Sequence, residues 1–136
     1  YGSNLLPSRM FRRCPSAISC CPAVLNNYRL TERLYADVDY CPGSQVHGYL
    51  YFLRPADLAA LDRYEGYPRT YKRYTVNVVL DDGTEYPALV YEMTEDTKAA
   101  RNGMAYPEEY RIICRDGARL RKIPNSFTRK RKQNHE

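Results

Sequence analysis

Residues 71–80 read Tyr-Lys-Arg-Tyr-Thr-Val-Asn-Val-Val-Leu, bend through Asp81-Asp82-Gly83, and resume as Thr-Glu-Tyr-Pro-Ala-Leu-Val-Tyr-Glu-Met over residues 84–93. Two β-branched, tyrosine-rich runs flanking an Asp-Gly pair form a strong hairpin signal, because glycine supplies the positive φ that a tight antiparallel turn needs. The chain must therefore build a sheet. Pro87 has no N–H to give to a ladder, which places the start of the second run at an edge or a bulge. Residues 23–35 read as a further strand, and Pro42 with Gly43 marks a turn over residues 41–45. Residues 46–53, Val-His-Gly-Tyr-Leu-Tyr-Phe-Leu, are apolar on both faces and predict a central strand.

Three segments carry helix signals. In residues 54–66 Pro55 suits the first turn, Leu58 and Leu61 share a face, and Gly66 ends the run. Ser8 can cap a short helix over residues 9–14 that Pro15 stops. Residues 107–120 restart a helix, with Pro107 early, Glu108 and Glu109 in the first turn, and Gly117 near its end. Residues 94–106 read as a surface connection. Strands and helices do not alternate as in a doubly wound fold and no repeat is visible, so the fold class is α+β.

With 136 residues, 43% of them hydrophobic, the chain can bury one core but not two. No stretch approaches the ~18 apolar residues that a membrane span needs, and no segment resembles a signal peptide, so a soluble, cytoplasmic protein is expected. The net charge of +5 is concentrated in Arg129, Lys130, Arg131 and Lys132, a run expected to be a mobile, solvated end. Five cysteines, an odd number without a C-x-x-C pair, and only two histidines, His47 and His135, argue against a metal site and against a serine–histidine relay. Reduced thiols acting as small hydrophobes are expected.

Two features suggest chemistry. The opening Tyr1-Gly2-Ser3-Asn4 is a loop ahead of a helix, where glycine lets a ligand approach main-chain N–H groups suited to an anion. Glu65 in Leu-Asp-Arg-Tyr-Glu-Gly stands at a helix C-terminus, facing the negative end of the dipole. Such a carboxylate is either a solvated end or one held at a raised pKa, and pattern alone favours the former.

The pieces YGSNLL, GSQVHGYLYFL, LDRYEG, YKRYTVNVVLDDG, ALVYEM and PEEYRIICRDGARLRKIP, in that order, make the chain resemble the γ-glutamylcyclotransferase (AIG2-like) family from Tyr1 to about Pro124. The resemblance implies a domain over residues 1–124, a small mixed β-barrel with flanking helices, and residues 125–136 as a basic tail. It implies an enzyme without cofactor or metal that releases 5-oxoproline from a small γ-glutamyl compound, the substrate's α-amine attacking its own γ-carbonyl. Carried onto this chain, it makes Glu65 the acid/base and Tyr1, Gly2, Ser3, Asn4, Tyr71 and Tyr110 the substrate-binding residues. Arg73 follows the family's Tyr-x-Arg pattern, but an arginine at a strand start reads first as a surface ion-pair partner.

The rival reading is a non-catalytic binding domain of the same fold that meets an acidic partner or nucleic acid through the basic tail. Nucleic acid is not the partner the resemblance implies. Neither a membrane partner nor an oligomeric state follows from the sequence, and nothing in it selects among γ-glutamyl amino acids, γ-glutamylamines and larger acylated compounds.

Overall fold

The Asp-Gly hairpin is present in the computed structural model, which describes residues 1–128. Strand β3 (Tyr71–Leu80) runs into β4 (Glu85–Met93) through Gly83 at φ 84°, and Gly83 N–H donates to Leu80 O at 2.9 Å. Asp82 tightens the bend by accepting Thr84 N–H at 2.9 Å. Pro87 pairs with Asn77 on β4, an edge strand, where a missing N–H costs least.

The second hairpin is much longer than its sequence signal. Strand β1 (Ile18–Arg33) pairs antiparallel with β2 (Tyr35–Phe52) about a turn at Leu34, whose φ is 65°. Cys41, Pro42, Gly43 and Ser44 do not end a strand. They bulge from β2 opposite Asn27, whose Oδ1 accepts Gly43 N–H at 3.2 Å, and the ladder resumes at Asn26 and Gln45.

The sheet order is β2-β1-β3-β4. Residues 46–53 therefore lie on an edge strand, not the central one expected. Their two apolar faces reflect cover from above and below, including Tyr1, whose backbone passes 3.8 Å from the Cβ position of Gly48. The sheet also does not close into the expected barrel. Where a ladder between β2 and β4 would stand, side chains bridge the gap: Asp37 Oδ1 accepts Met93 N–H at 2.8 Å, and Tyr71 donates to Ala36 O at 3.2 Å.

Helix α1 (Pro7–Arg13) begins at Pro7 behind Leu6, so Ser8 is exposed and is not its cap. Helix α2 (Pro55–Glu65) ends as expected at Gly66, in the left-handed region at φ 68°. Residues 94–106 contain a helix, α3 (Glu95–Arg101), which the sequence hid because none of its residues is buried and it has no apolar stripe. Helix α4 (Glu108–Leu120) runs straight through Gly117. That glycine allows close approach and does not terminate the helix: a Cβ there would lie 2.5 Å from Leu6 N and 2.7 Å from Leu5 C.

Ala23, Leu25, Val38, Val46, Val78 and Val90 form the core on the sheet. Leu5, Ala36, Cys114, Ala118 and Phe127 pack α4 against the opening loop and β2, while Met10, Cys14, Ala17 and Leu61 join α1 to α2. The packed chain extends past Pro124, because Phe127 is buried and its carbonyl accepts Arg111 Nη1–H at 2.9 Å. The basic run over residues 129–132 lies outside the described residues. Among those residues no helix is long and apolar enough to cross a membrane.

Candidate active site

The unclosed side of the sheet is where the candidate residues meet. The edges of β2 and β4, the end of α2, the face of α4 and the opening segment surround a cavity of about 1020 Å³. Tyr1, Gly2, Ser3, Asn4, Glu65, Tyr71 and Tyr110 all line it.

Ser3, Asn4 and Leu5 form a single 3-10 turn, closed by Leu5 N–H to Gly2 O at 3.1 Å. The first N–H groups of such a turn have no partner within it, so Ser3 and Asn4 carry the donors the sequence suggested. The segment is tied down from several sides. Tyr1 donates to Tyr91 O at 2.5 Å, Tyr51 donates to Asn4 O at 2.7 Å, and Arg13 Nη1–H reaches Asn4 Oδ1 at 3.0 Å. Gly2 has a reason to be glycine beyond the one expected. Its Cβ position points at Tyr110 Oη, 2.9 Å away, and at Ala36 Cβ, 3.2 Å away, so the missing side chain makes room for these neighbours.

Glu65 is the last residue of α2, and its carboxyl pKa is raised by burial, against which the Arg13 guanidinium pulls in the opposite direction. Its helix is fixed one turn earlier: Asp62 takes two hydrogen bonds from Arg73, at 2.9 and 3.2 Å, and a third from Tyr91 at 2.5 Å. Arg73 is thus the ion-pair partner expected, with its guanidinium also 4.5 Å from the centroid of Tyr67.

Tyr71 and Tyr110 bracket one peptide of β2. Tyr71 donates to Ala36 O, while Ala36 N–H donates to Tyr110 Oη at 3.0 Å. Burial is the first cause of the upward shift of both hydroxyls, so both stay protonated at neutral pH. Their engagement with Ala36, and that of Tyr110 with the Cys114 side chain as well, makes them walls of the cavity first. Sequence reasoning missed Arg13 and Arg101, which also line the cavity. Neither sits in a motif, and an arginine on a short polar helix carries no signal of the direction in which it points. No three His, Cys, Asp or Glu side chains converge as metal ligands among the described residues.

A half-open, tyrosine-lined cleft with one desolvated carboxylate defines a small-molecule site in an α+β domain. Residues 1–111 match the family described as Gamma-glutamyl cyclotransferase, AIG2-like. The chain is 30% identical to the γ-glutamylcyclotransferases of Mus musculus and Homo sapiens over 145 aligned residues, covering 97% of this chain and 74% of each relative. A solved γ-glutamyl cyclotransferase structure superposes with a TM-score of 0.75 at 27% identity, over 91% of this chain and 78% of that one. The protein belongs to the γ-glutamyl cyclotransferase, AIG2-like family, and is an enzyme of the cyclotransferase type.

Proposed function

We propose that the cleft binds a γ-glutamyl compound and releases 5-oxoproline from it, with Glu65 moving the protons. The observation that carries this reading is a carboxylate raised by burial in the same cavity as the Tyr1–Asn4 donors. The substrate's α-ammonium gives a proton to Glu65, and its nitrogen attacks the γ-carbonyl carbon. As the bond to the leaving nitrogen breaks, Glu65 gives its proton to that leaving nitrogen and takes the second proton from the ring nitrogen, so a neutral lactam and an amine form and no water or second substrate is consumed. Because the attack is intramolecular, holding the folded-back conformer supplies much of the rate, with effective molarities on the order of 10⁵ M or more in well-oriented systems.

The main-chain N–H groups of Ser3 and Asn4 serve the negative charge, on the α-carboxylate or on the developing oxyanion. Tyr71 and Tyr110 close the pocket around the glutamyl chain. A raised carboxyl pKa suits both halves of Glu65's task, since it brings the group closer to the working pH, where it can both take up a proton and give one.

Assay of 5-oxoproline release from a panel of γ-glutamyl amino acids and γ-glutamylamines tests the reading. Glu65→Gln is expected to lose ~10²–10⁴-fold in kcat, the usual range for a positioned acid/base. Wild-type kcat/KM is expected to rise with pH through a carboxyl pKa above the ordinary glutamate value. Turnover by the glutamine variant equal to wild type would remove Glu65 from the role.

A further inference from the structure

Cys20 and Cys21 are adjacent in β1, and neighbouring residues of a regular strand point to opposite faces of the sheet. Here their sulfurs lie 3.3 Å apart. A bulge brings them together: Ser19 pairs with Tyr51 and Cys21 with Leu50, so Cys20 is an extra residue without a partner on β2. The pair lies past the end of β3, which meets β1 at Ala23 and Val24, and near the Asp81-Asp82 bend, whose carboxylates act on Cys21. Cys20 is exposed, whereas Cys14 and Cys114 are fully buried and Cys41 accepts from Ser44 Oγ–H at 3.3 Å.

Two thiols in contact can hold a metal ion or be joined by oxidation. A structural zinc ion needs four ligands, and no third His, Cys, Asp or Glu side chain converges on the pair among the described residues. Oxidation needs only the pair itself. Burial first, then the hydrogen bond with Cys20 and the charges of Asp81 and Asp82, push the Cys21 thiol up to about 11. Cys21 therefore keeps its proton at neutral pH, and the exposed Cys20 sulfur is the one that meets an oxidant first, with Cys21 beside it as the resolving thiol.

We propose that Cys20 and Cys21 form a reversible oxidation site, which hydrogen peroxide closes to a vicinal disulfide, and that closure loosens the opening turn of the active site. The Cys20 sulfur attacks one peroxide oxygen, the O–O bond breaks, and the thiol proton leaves with the other oxygen as water. The Cys21 sulfur then attacks the resulting sulfenic sulfur, and the hydroxyl leaves with the Cys21 proton as a second water. Two electrons pass from the thiol pair to the peroxide. Adjacent Cα atoms stand about 3.8 Å apart across a trans peptide, below the roughly 4.4 Å at which ordinary disulfides begin, so closure must turn the Cys20–Cys21 peptide. Strained, exposed disulfides are the ones a free thiol readily reduces again. The turned peptide is bonded to Ser19, which pairs with Tyr51 and whose Oγ accepts Arg121 Nη2–H at 3.1 Å. The same Nη2 reaches Tyr51 Oη at 2.9 Å, and Tyr51 O–H holds Asn4 O at 2.7 Å. A shift at the bulge thus reaches the Ser3–Leu5 turn through one hydroxyl. The effect on turnover rests on the cyclotransferase reading above, whereas the oxidation does not.

The test treats the reduced full chain with a small excess of hydrogen peroxide and reads intact mass, peptide maps and amide hydrogen exchange. Wild type is expected to lose two hydrogens in mass, with the bridge mapped to Cys20–Cys21, and to regain them with dithiothreitol. Exchange over residues 1–6 should quicken on closure and return on reduction, and KM for a γ-glutamyl substrate should rise by about 3- to 10-fold, the size of one lost neutral hydrogen bond. Cys20→Ser should keep the kinetics of the reduced protein and ignore peroxide, while Cys21→Ser should hold a sulfenic acid at Cys20 that dimedone traps. An unchanged mass, a bridge between two chains, or first oxidation at Cys41 overturns the site. A Cys20–Cys21 bridge with unchanged exchange over residues 1–6 overturns the link to the turn. A bridge with quickened exchange and no turnover in either state supports the inference and counts against the cyclotransferase reading alone.

Discussion

At Gly117 one added methyl decides whether α4 can lie against the opening turn. Its Cβ position meets backbone atoms of Leu5 and Leu6 at 2.5–2.7 Å, and backbone cannot swing aside as a side chain can. Gly117→Ala is expected to destabilise the protein by about 1–3 kcal/mol in chemical denaturation, although alanine is the better helix former. Gly2 behaves similarly for a different neighbour. A valine there displaces the Tyr110 hydroxyl from Ala36 N–H, so stability and substrate affinity should fall together. Glu65 carries the opposite sign. Its folded pKa is raised, so its favourable contribution is present only below the unfolded pKa and is lost as pH rises through the folded value. Glu65→Gln is therefore expected to unfold at a higher temperature than wild type at neutral pH while losing turnover, and calorimetry beside the activity assay checks both. The residue type and place of Glu65 were legible in Leu-Asp-Arg-Tyr-Glu-Gly, but its desolvation was not, because burial depends on what α1 and the opening turn lay over it.

Among the elements, α3 is held by charge where the other helices are held by apolar packing. Asp37 is fully buried and accepts from Arg33 Nη1 at 2.8 Å, while Asp39 takes Arg33 Nη2 at 2.8 Å and Lys98 Nζ at 2.5 Å. Lys98 also bonds to Val38 O at 3.1 Å, which pins the helix to β2. Lys98→Ala leaves Asp37, Asp39 and Glu92 with one cation fewer, and breaking a buried network of this kind typically costs about 3–5 kcal/mol. Because Arg101 lines the cavity from the same helix, the variant should also raise KM for its γ-glutamyl substrate if it folds, measured alongside its urea midpoint. The helix escaped the sequence reading for the same reason: its anchor is one lysine, and a lysine on a polar segment looks like solvated surface. Helix α2, by contrast, was legible from Pro55, Leu58, Leu61 and Gly66, since its stop and its buried Leu61 are local features.

At the scale of the molecule, the sheet stays open between β2 and β4, and that opening is the cleft. The carboxylates beside it make the fold sensitive to acid. Arg33 and then Lys98 hold the Asp39 carboxyl well below the usual carboxylate range. A depressed pKa contributes stability above the unfolded carboxylate value and loses it as pH falls through the folded one. Melting temperature should therefore decline from about pH 5 downward, and Asp39→Asn should be less stable than wild type at neutral pH but show a flatter acid limb. The strands of the Asp-Gly hairpin, the Gly66 helix stop and the motif carrying Tyr1–Asn4 and Glu65 were determined by the sequence alone, because turn chemistry, helix termination and short motifs act over a few residues. The open sheet, the edge position of β2, the docking of α3 through Lys98 and the direction of Arg101 were decided only by tertiary structure. Each depends on groups far apart in the chain, such as Asp37 with Met93 or Lys98 with Asp39, whose meeting no local pattern encodes.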